Sequence, residues 1–244
     1  MGRRLSFDEK LHIFKQRPDI VCLPEFWVVD ESVPDYQRAA LHFREYSEYL
    51  ARLSDELATC LVAGTVAEPD GDRLYNTCLV YDHGKEIGRY RKIHPVEGEL
   101  RKGINAGHGT VVLEVDSLRI GLLICADVLH PELYDQLAVQ EPDIILVPTI
   151  SPLQEREPIS AKRNRDRKYF LEGAIRASAY ICKVCGVGTF HGMPLQGRSL
   201  FAAPWGILKQ VDYAGEDKEQ ILSLTLDIDE LREFRRRARS ALVE

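Results

Sequence analysis

Leu118-Arg-Ile-Gly-Leu-Leu-Ile-Cys-Ala-Asp-Val-Leu-His-Pro-Glu132 is an apolar run that stops at Cys125 and gives way to a polar loop. The run reads as a core strand, and strand ends in α/β proteins are where rigid side chains meet ligands. A thiol at such an end, followed by Asp127, can face both water and a substrate. The competing reading is a buried cysteine that caps the strand, because free cysteine packs as a small hydrophobe and most are inert. The surrounding sequence has to decide between the two.

Outward from this run, Thr110 to Val115 and Leu118 to Cys125 read as strands flanking the turn Asp116-Ser117, and a helix follows from Pro131 to Gln140. Asp143 to Pro148 is another apolar run, Lys168 to Tyr180 reads as helical, and Ile181 to Val187 as a strand. Leu200 to Ala203, Ile207 to Val211 and Ile221 to Leu226 are strand-like, and Asp229 is the expected cap of a terminal helix. Toward the N-terminus, Leu5 to Gln16 and Tyr36 to Leu57 carry helical spacing, and Ile20 to Leu23 is a short strand closed by Pro24-Glu25. Cys60 to Val66, Tyr75 to Tyr81 and a strand running into Arg89-Tyr-Arg-Lys92 form a meander, and His94 to Gly109 is expected as a long loop. Alternating strands and helices with inserted hairpins imply layered sheets covered by helices, an α/β fold in one domain over residues 1–244.

Composition narrows the function classes. With 32 basic and 38 acidic residues interspersed, the net charge of −6 gives no footprint for nucleic acid or an anionic membrane. The basic run Arg232 to Arg239 has acidic neighbours and reads as a solvated helix. No stretch reaches the length of a membrane span and no signal-like apolar region opens the chain, so a cytoplasmic protein is expected. Six cysteines are too few for a disulfide scaffold, and the Cys182–Cys185 pair lies in a run that reads as a buried strand, not a metal or redox motif.

Two further residues stand at strand ends, Glu25 and Lys92. Cysteine, carboxylate and ammonium each have a task in acyl transfer: the thiol attacks carbon, the carboxylate takes its proton and later activates water, and the ammonium stabilises developing negative charge. Singly, Glu25 reads equally as a loop cap and Lys92 as a solvated base. Taken together, Asp19-Ile-Val-Cys-Leu-Pro-Glu25, Tyr90-Arg-Lys-Ile-His94 and Gly121-Leu-Leu-Ile-Cys-Ala-Asp-Val-Leu-His-Pro-Glu132 resemble the nitrilase superfamily of carbon-nitrogen hydrolases. Weaker agreement runs through Asp143-Ile-Ile-Leu-Val-Pro148, Gly197-Arg-Ser199 and Pro204-Trp-Gly206 to Leu226-Asp-Ile-Asp229, covering roughly residues 10 to 235.

The resemblance implies a four-layer α-β-β-α sandwich and a catalytic triad of Glu25, Lys92 and Cys125, with Lys92 and the Ala126 N–H holding an oxyanion. It adds a second loop carboxylate, for which Glu97 and Glu99 compete and Glu99 matches better. His94 is expected to support Lys92 by a hydrogen bond, and Phe26, Trp27 and Phe190 to line a pocket, with core packing the alternative for at least one of them. The implied substrate is a small linear amide or carbamoyl compound, or a nitrile, and no metal or organic cofactor is called for. A homo-oligomer of two or more copies is implied, and a catalytically inactive interaction protein is the contrasting reading. Three departures stand out: no strand precedes the Leu5 helix, Arg176-Ala-Ser-Ala-Tyr180 replaces an Arg-x-x-Glu-Asn run, and Cys185 stands where the family often has Asn.

Overall fold

Ser6 starts the first helix, α1 (Phe7–Gln16), by a capping box: its hydroxyl accepts from Glu9 N while the Glu9 carboxylate accepts from Ser6 N. Arg17, in the left-handed region with Pro18 behind it, ends the helix. The computed structural model describes residues 2–154 and 156–240. The order continues β1 (Ile20–Cys22), α2 (Tyr36–Leu41), α3 (Phe43–Leu57), β2 (Cys60–Val62), β3 (Val66–Asp70), β4 (Arg73–Asp82), β5 (Lys85–Arg91), α4 (Glu97–Arg101), β6 (Ile104–Asn105), β7 (Val111–Val115) and β8 (Leu118–Leu122). Then come α5 (Pro131–Val139), β9 (Ile144–Thr149), α6 (Ile159–Asp166), α7 (Glu172–Ala177), β10 (Tyr180–Cys185), β11 (Thr189–Phe190), β12 (Met193–Pro194), β13 (Leu200–Ala203), β14 (Gly206–Gln210) and α8 (Ile228–Ser240).

The strands form two six-stranded sheets and a small hairpin of β11 and β12. In the first sheet the order is β1-β2-β4-β3, with β5 and β6 also paired to β4; in the second it is β14-β13-β10-β9-β8-β7. The parallel pairs β8–β9 and β9–β10 carry their crossovers in α5 and in the α6–α7 segment. Alternation along the strands assigns the faces. Cys60, Val62, Cys78 and Val80 share one core with the second sheet, while Leu61, Leu79 and Tyr81 share another with Leu50, Leu53 and Leu57 of α3. Across the second sheet, a methyl at Gly121 would meet Leu137 of α5, so its neighbours Ile120 and Leu122 face the first sheet. The layers therefore run helix, sheet, sheet, helix.

Several expectations need correction. The Tyr36 to Leu57 helix is two helices that meet at His42. The His94 to Gly109 loop holds α4 and β6, elements too short to show a period in sequence. The α6–α7 segment begins well before Lys168 and passes through a π-helical stretch at Arg167–Leu171. Ile221 to Leu226 is not a strand: Leu222 and Leu226 pack on the core, but the segment joins neither sheet, and alternation alone does not supply a partner. Among the described residues no strand precedes α1, and β1 forms the edge of its sheet.

The terminal helix also differs in its anchoring. Asp227, not Asp229, accepts from the N–H of Glu230 at its start. Its basic run is not uniformly solvated. Arg232 and Arg235 reach the fully buried Asp143, with Arg232 Nη2 at 3.0 Å from Oδ2 and Arg235 Nη1 at 3.4 Å from Oδ1. Among the described residues, no helix is long and apolar enough to cross a membrane.

Candidate active site

Glu25 follows β1 in a turn shaped by a glycine. Gly64, beyond β2, has φ +65°, and a methyl there would overlap the carbonyl oxygen of Pro24. Only glycine lets the two strand ends lie this close. Glu25 is 2% exposed; its Oε1 accepts from Lys92 Nζ at 3.0 Å and from Asn76 Nδ2 at 2.8 Å, and its Oε2 from Ile150 N at 2.8 Å.

Lys92 leaves the end of β5, where its N–H donates to the Asn76 carbonyl, and is 1% exposed. Its ammonium donates to Glu99 Oε2 at 2.7 Å as well as to Glu25. Glu99 lies in α4 and reaches back to accept from Val96 N at 2.8 Å, while its Oε1 accepts from Asn76 Nδ2 at 2.8 Å. Glu97 points to solvent and pairs with Arg101. Of the two competing loop carboxylates, then, Glu99 joins the cluster.

Cys125 does not end β8. It lies three residues beyond it, opening a 3-10 turn (Cys125–Leu129) with φ +46°, a left-handed conformation that costs free energy for a side-chain-bearing residue. Its Sγ is 3.4 Å from the Ile150 carbonyl oxygen, the residue whose N–H binds Glu25. Ala126 follows at the start of that turn, where the first N–H groups have no partner inside the turn. Asp127, the carboxylate that follows the thiol, is fully buried as a strut: it accepts from Tyr90 Oη at 2.7 Å, His94 N at 2.8 Å and Ile124 N at 3.0 Å.

Burial and the arrangement of charge set the protonation states. Burial raises the Glu25 carboxyl above its usual range; Lys92 pulls it down and Glu99 pushes it up again. Burial likewise raises the Cys125 thiol, helped by Glu25 and opposed by Lys92. Burial works against the charge on Lys92, but Glu25, Cys125 and Glu99 outweigh it and hold the ammonium protonated. The site thus contains a neutral thiol and a cation between two carboxylates, one of which, Glu25, is disposed to take up a proton.

The remaining expected residues divide. Phe190, on the β11–β12 hairpin, stacks on Phe26 at 5.3 Å and lies 6.3 Å from the Tyr36 ring, so it joins the aromatic group beside the cluster. Trp27 stacks instead on Tyr49 of α3 at 6.4 Å. His94 contributes its backbone N–H to Asp127, and its ring stacks on His130 at 3.5 Å and 10°. Ligand atoms of His94, His130 and Glu132 lie within 4.8 Å of one another, but parallel stacked rings aim their nitrogen lone pairs along parallel planes and do not converge on one ion. Asn76 and Tyr36 were not marked by the sequence. Asn76 sits mid-strand in an apolar run, and Tyr36 opens a helix far from any of the three motifs.

Comparison with known proteins follows the same line. The carbon-nitrogen hydrolase family profile matches residues 11–236. A nitrilase of Pyrococcus abyssi is 29% identical over 187 residues, 75% of this chain; the chain spans 65% of that relative, just under two thirds of its length. A 2-oxoglutaramate amidase of Bacillus subtilis is 24% identical over 220 residues, 89% of this chain and 81% of the relative. Among solved structures, a cysteine-to-alanine mutant of the amidase from Nesterenkonia sp. AN1 in complex with butyramide superposes with a TM-score of 0.78 at 20% identity, covering 96% of this chain and 87% of that one. That structural likeness carries the fold.

Proposed function

This chain belongs to the carbon-nitrogen hydrolase family, the nitrilase superfamily, and from that premise we propose that it cleaves the carbon–nitrogen bond of a small linear amide or carbamoyl compound through a thioester on Cys125. The observation that carries the reading is the meeting of Glu25, Lys92 and Glu99 around Asn76 with the Cys125 thiol beside them, held by the same residue, Ile150, that binds Glu25.

Because the thiol is protonated at rest, attack needs a base at the moment of bond formation, and Glu25 is the carboxylate with a raised proton affinity. As Sγ bonds to the carbonyl carbon, its proton passes to Glu25 and the oxygen becomes an oxyanion held by Lys92 and the Ala126 N–H. Glu25 then returns the proton to the leaving nitrogen, and ammonia or an amine departs. Water enters and gives its proton to Glu25 as its oxygen bonds to the thioester carbon; the tetrahedral adduct then collapses with cleavage of the C–S bond, Glu25 returns the proton to Sγ, and the acid leaves with the thiol restored. Glu99 keeps the Lys92 ammonium oriented and charged throughout. The Nesterenkonia relative's complex with butyramide supports a small amide as the ligand class. The Pyrococcus relative favours a second reading, hydrolysis of a nitrile by the same thiol.

The proposed fold is the family's four-layer sandwich, run as one domain, with the first sheet beginning at β1 and the chain working as a homo-oligomer of two or more copies. Intact-mass spectrometry during turnover of an amide and nitrile panel tests the chemistry. A mass gain equal to the acyl group on wild-type protein and none on Cys125→Ala is expected. Absence of both adduct and ammonia release across the panel would sink the enzyme reading, and ammonia from nitriles alone would select the second one.

A further inference from the structure

Register places Lys183 on the helix side of the second sheet. Ile181 pairs with Ile145 and Ile145 with Gly121, whose face meets α5, and Lys183 is two residues on from Ile181. The lysine is buried, its ammonium 3.2 Å from Asp166 Oδ1 of α6 and 5.0 Å from the Phe170 ring centre. Beside it stands Arg198 of the Gly197-Arg-Ser199 run, which the chemistry at Cys125 does not use. Arg198 is 4% exposed, and its Nη2 donates to Lys162 O at 2.7 Å and to Asp166 Oδ2 at 2.5 Å.

Ion pairs join four cations to three carboxylates here. Lys162 meets Glu216 at 2.6 Å, Arg165 grips Glu157 through two hydrogen bonds at 2.6 and 2.8 Å, and Arg198 and Lys183 share Asp166. One positive charge is left over in a setting largely removed from water, where an uncompensated charge is costly. Arg198 marks its place. Its Nη1 is buried and makes no hydrogen bond, since Glu157 Oε2 stands 3.9 Å off.

Arg198 also lines a cavity of about 10 Å³, room for one water- or halide-sized particle, together with Ser199, Tyr213, Asp166 and Glu216. Both carboxylates are engaged with cations, whereas hydroxyl protons are free. Ser199 Oγ accepts from Cys185 N at 2.9 Å and Tyr213 Oη from Arg163 Nε at 3.0 Å, and neither hydroxyl proton meets an acceptor among the described residues. An occupant that only accepts hydrogen bonds and carries negative charge suits this wall better than water, which brings two protons of its own.

We propose that the cavity binds a single monovalent anion of halide size, held by the Arg198 guanidinium and the Ser199 and Tyr213 hydroxyls, and that the anion fastens α6 to the start of β13. The fastening leads back to the candidate active site through the backbone. Arg198 N donates to Gln196 O at 3.1 Å and Gln196 N to Ser151 O at 2.9 Å, and Ser151 follows Ile150, whose N–H binds Glu25. The anion site is independent of which bond Cys125 attacks.

Bromide serves as the probe, in thermal unfolding of the full chain in sodium bromide against sodium gluconate at equal ionic strength. Wild-type protein is expected to melt roughly 5 °C or more higher at bromide a hundredfold above its dissociation constant, along a saturating curve. Ser199→Ala, which removes one donor and no charge, is expected to move the midpoint of that curve to severalfold higher bromide, and Arg198→Gln to abolish the response. Crystals of the wild-type protein grown in bromide give an answer that needs no variant to fold: an anomalous-scattering peak beside Arg198 Nη1 is expected. Equal melting in the two salts, a bromide midpoint unmoved by Ser199→Ala, or anomalous peaks at the surface alone with water in the cavity, an adventitious ion only, would each overturn the site.

Discussion

Asn76 is the residue on which both carboxylates rest: one amide nitrogen donates to Glu25 and to Glu99, and the backbone carbonyl of the same residue holds Lys92 N. Hydrogen bonds to charged groups contribute about 1.5–3 kcal/mol, so Asn76→Ala is expected to lower kcat roughly ten- to a hundredfold while circular dichroism and the melting profile report a folded protein. A kcat within about twofold of wild type would show that Lys92 alone orients the carboxylates. The charges make a second prediction. Glu25 must be ionised to accept the thiol proton, so kcat/KM falls as pH drops through its pKa, which burial and Glu99 raise. Removing the like charge in Glu99→Gln lowers that pKa, and the acid limb of the pH–rate profile moves to lower pH; a limb that stays in place or moves up refutes the coupling. At this scale the sequence was legible where chemistry is written in contiguous residues, as in Leu-Pro-Glu25, Tyr-Arg-Lys92 and Cys125-Ala-Asp. Asn76 and Tyr36 carry no such local mark, because what makes them matter is the pairing of β4 with β5 and the packing of α2 against the hairpin of Phe190.

Among the elements, the turn between β1 and Glu25 depends on Gly64 more than on any contact that a sequence pattern reveals. Gly64→Ala forces a left-handed residue to carry a methyl and drives that methyl against Pro24 O, the residue before Glu25. Strain of this kind costs about 1–3 kcal/mol, so a lowered melting temperature together with a kcat loss is expected, since relief of the overlap displaces Glu25. Thermal unfolding and kcat on the same preparation check it, and an unchanged kcat would mean that the Ile150 N–H and Asn76 suffice to hold the carboxylate. The strands β4, β9 and β10 were legible as apolar runs because both of their faces are buried. The five-residue α4 was not, since one turn and a half shows no period, although it is what brings Glu99 to Lys92. Ile221 to Leu226 failed in the opposite direction: its side chains alternate, but a strand is defined by a neighbour's backbone, and neither sheet offers it one.

Over the whole molecule, the candidate site straddles the two sheets. Glu25, Asn76, Lys92 and Glu99 belong to strands of the first sheet or the segments that follow them, whereas Cys125 and Ile150 follow strands of the second. The distance between base and nucleophile is therefore set by how the sheets pack, through a layer that includes Cys78, Val80, Ile120 and Leu122. Layered architecture was legible from alternation, but which apolar residues face the other sheet and which face a helix was not, because both faces of each central strand are apolar. That distinction separates two otherwise equivalent substitutions. Ile120→Ala and Leu79→Ala each empty a fully buried position and are expected to cost about 2–5 kcal/mol in denaturant unfolding. Leu79 faces α3, so its loss loosens a helix on the outer side of the first sheet and should leave kcat near wild type at temperatures where the protein is folded. Ile120 faces the first sheet two positions before the end of β8 and five before Cys125, so the cavity it leaves lets the sheets shift against each other and stretches the Cys125–Ile150–Glu25 connection. A kcat deficit confined to Ile120→Ala at matched stability is the expected result, and equal kcat in the two variants would mean that the cluster is rigid independently of the sheet interface.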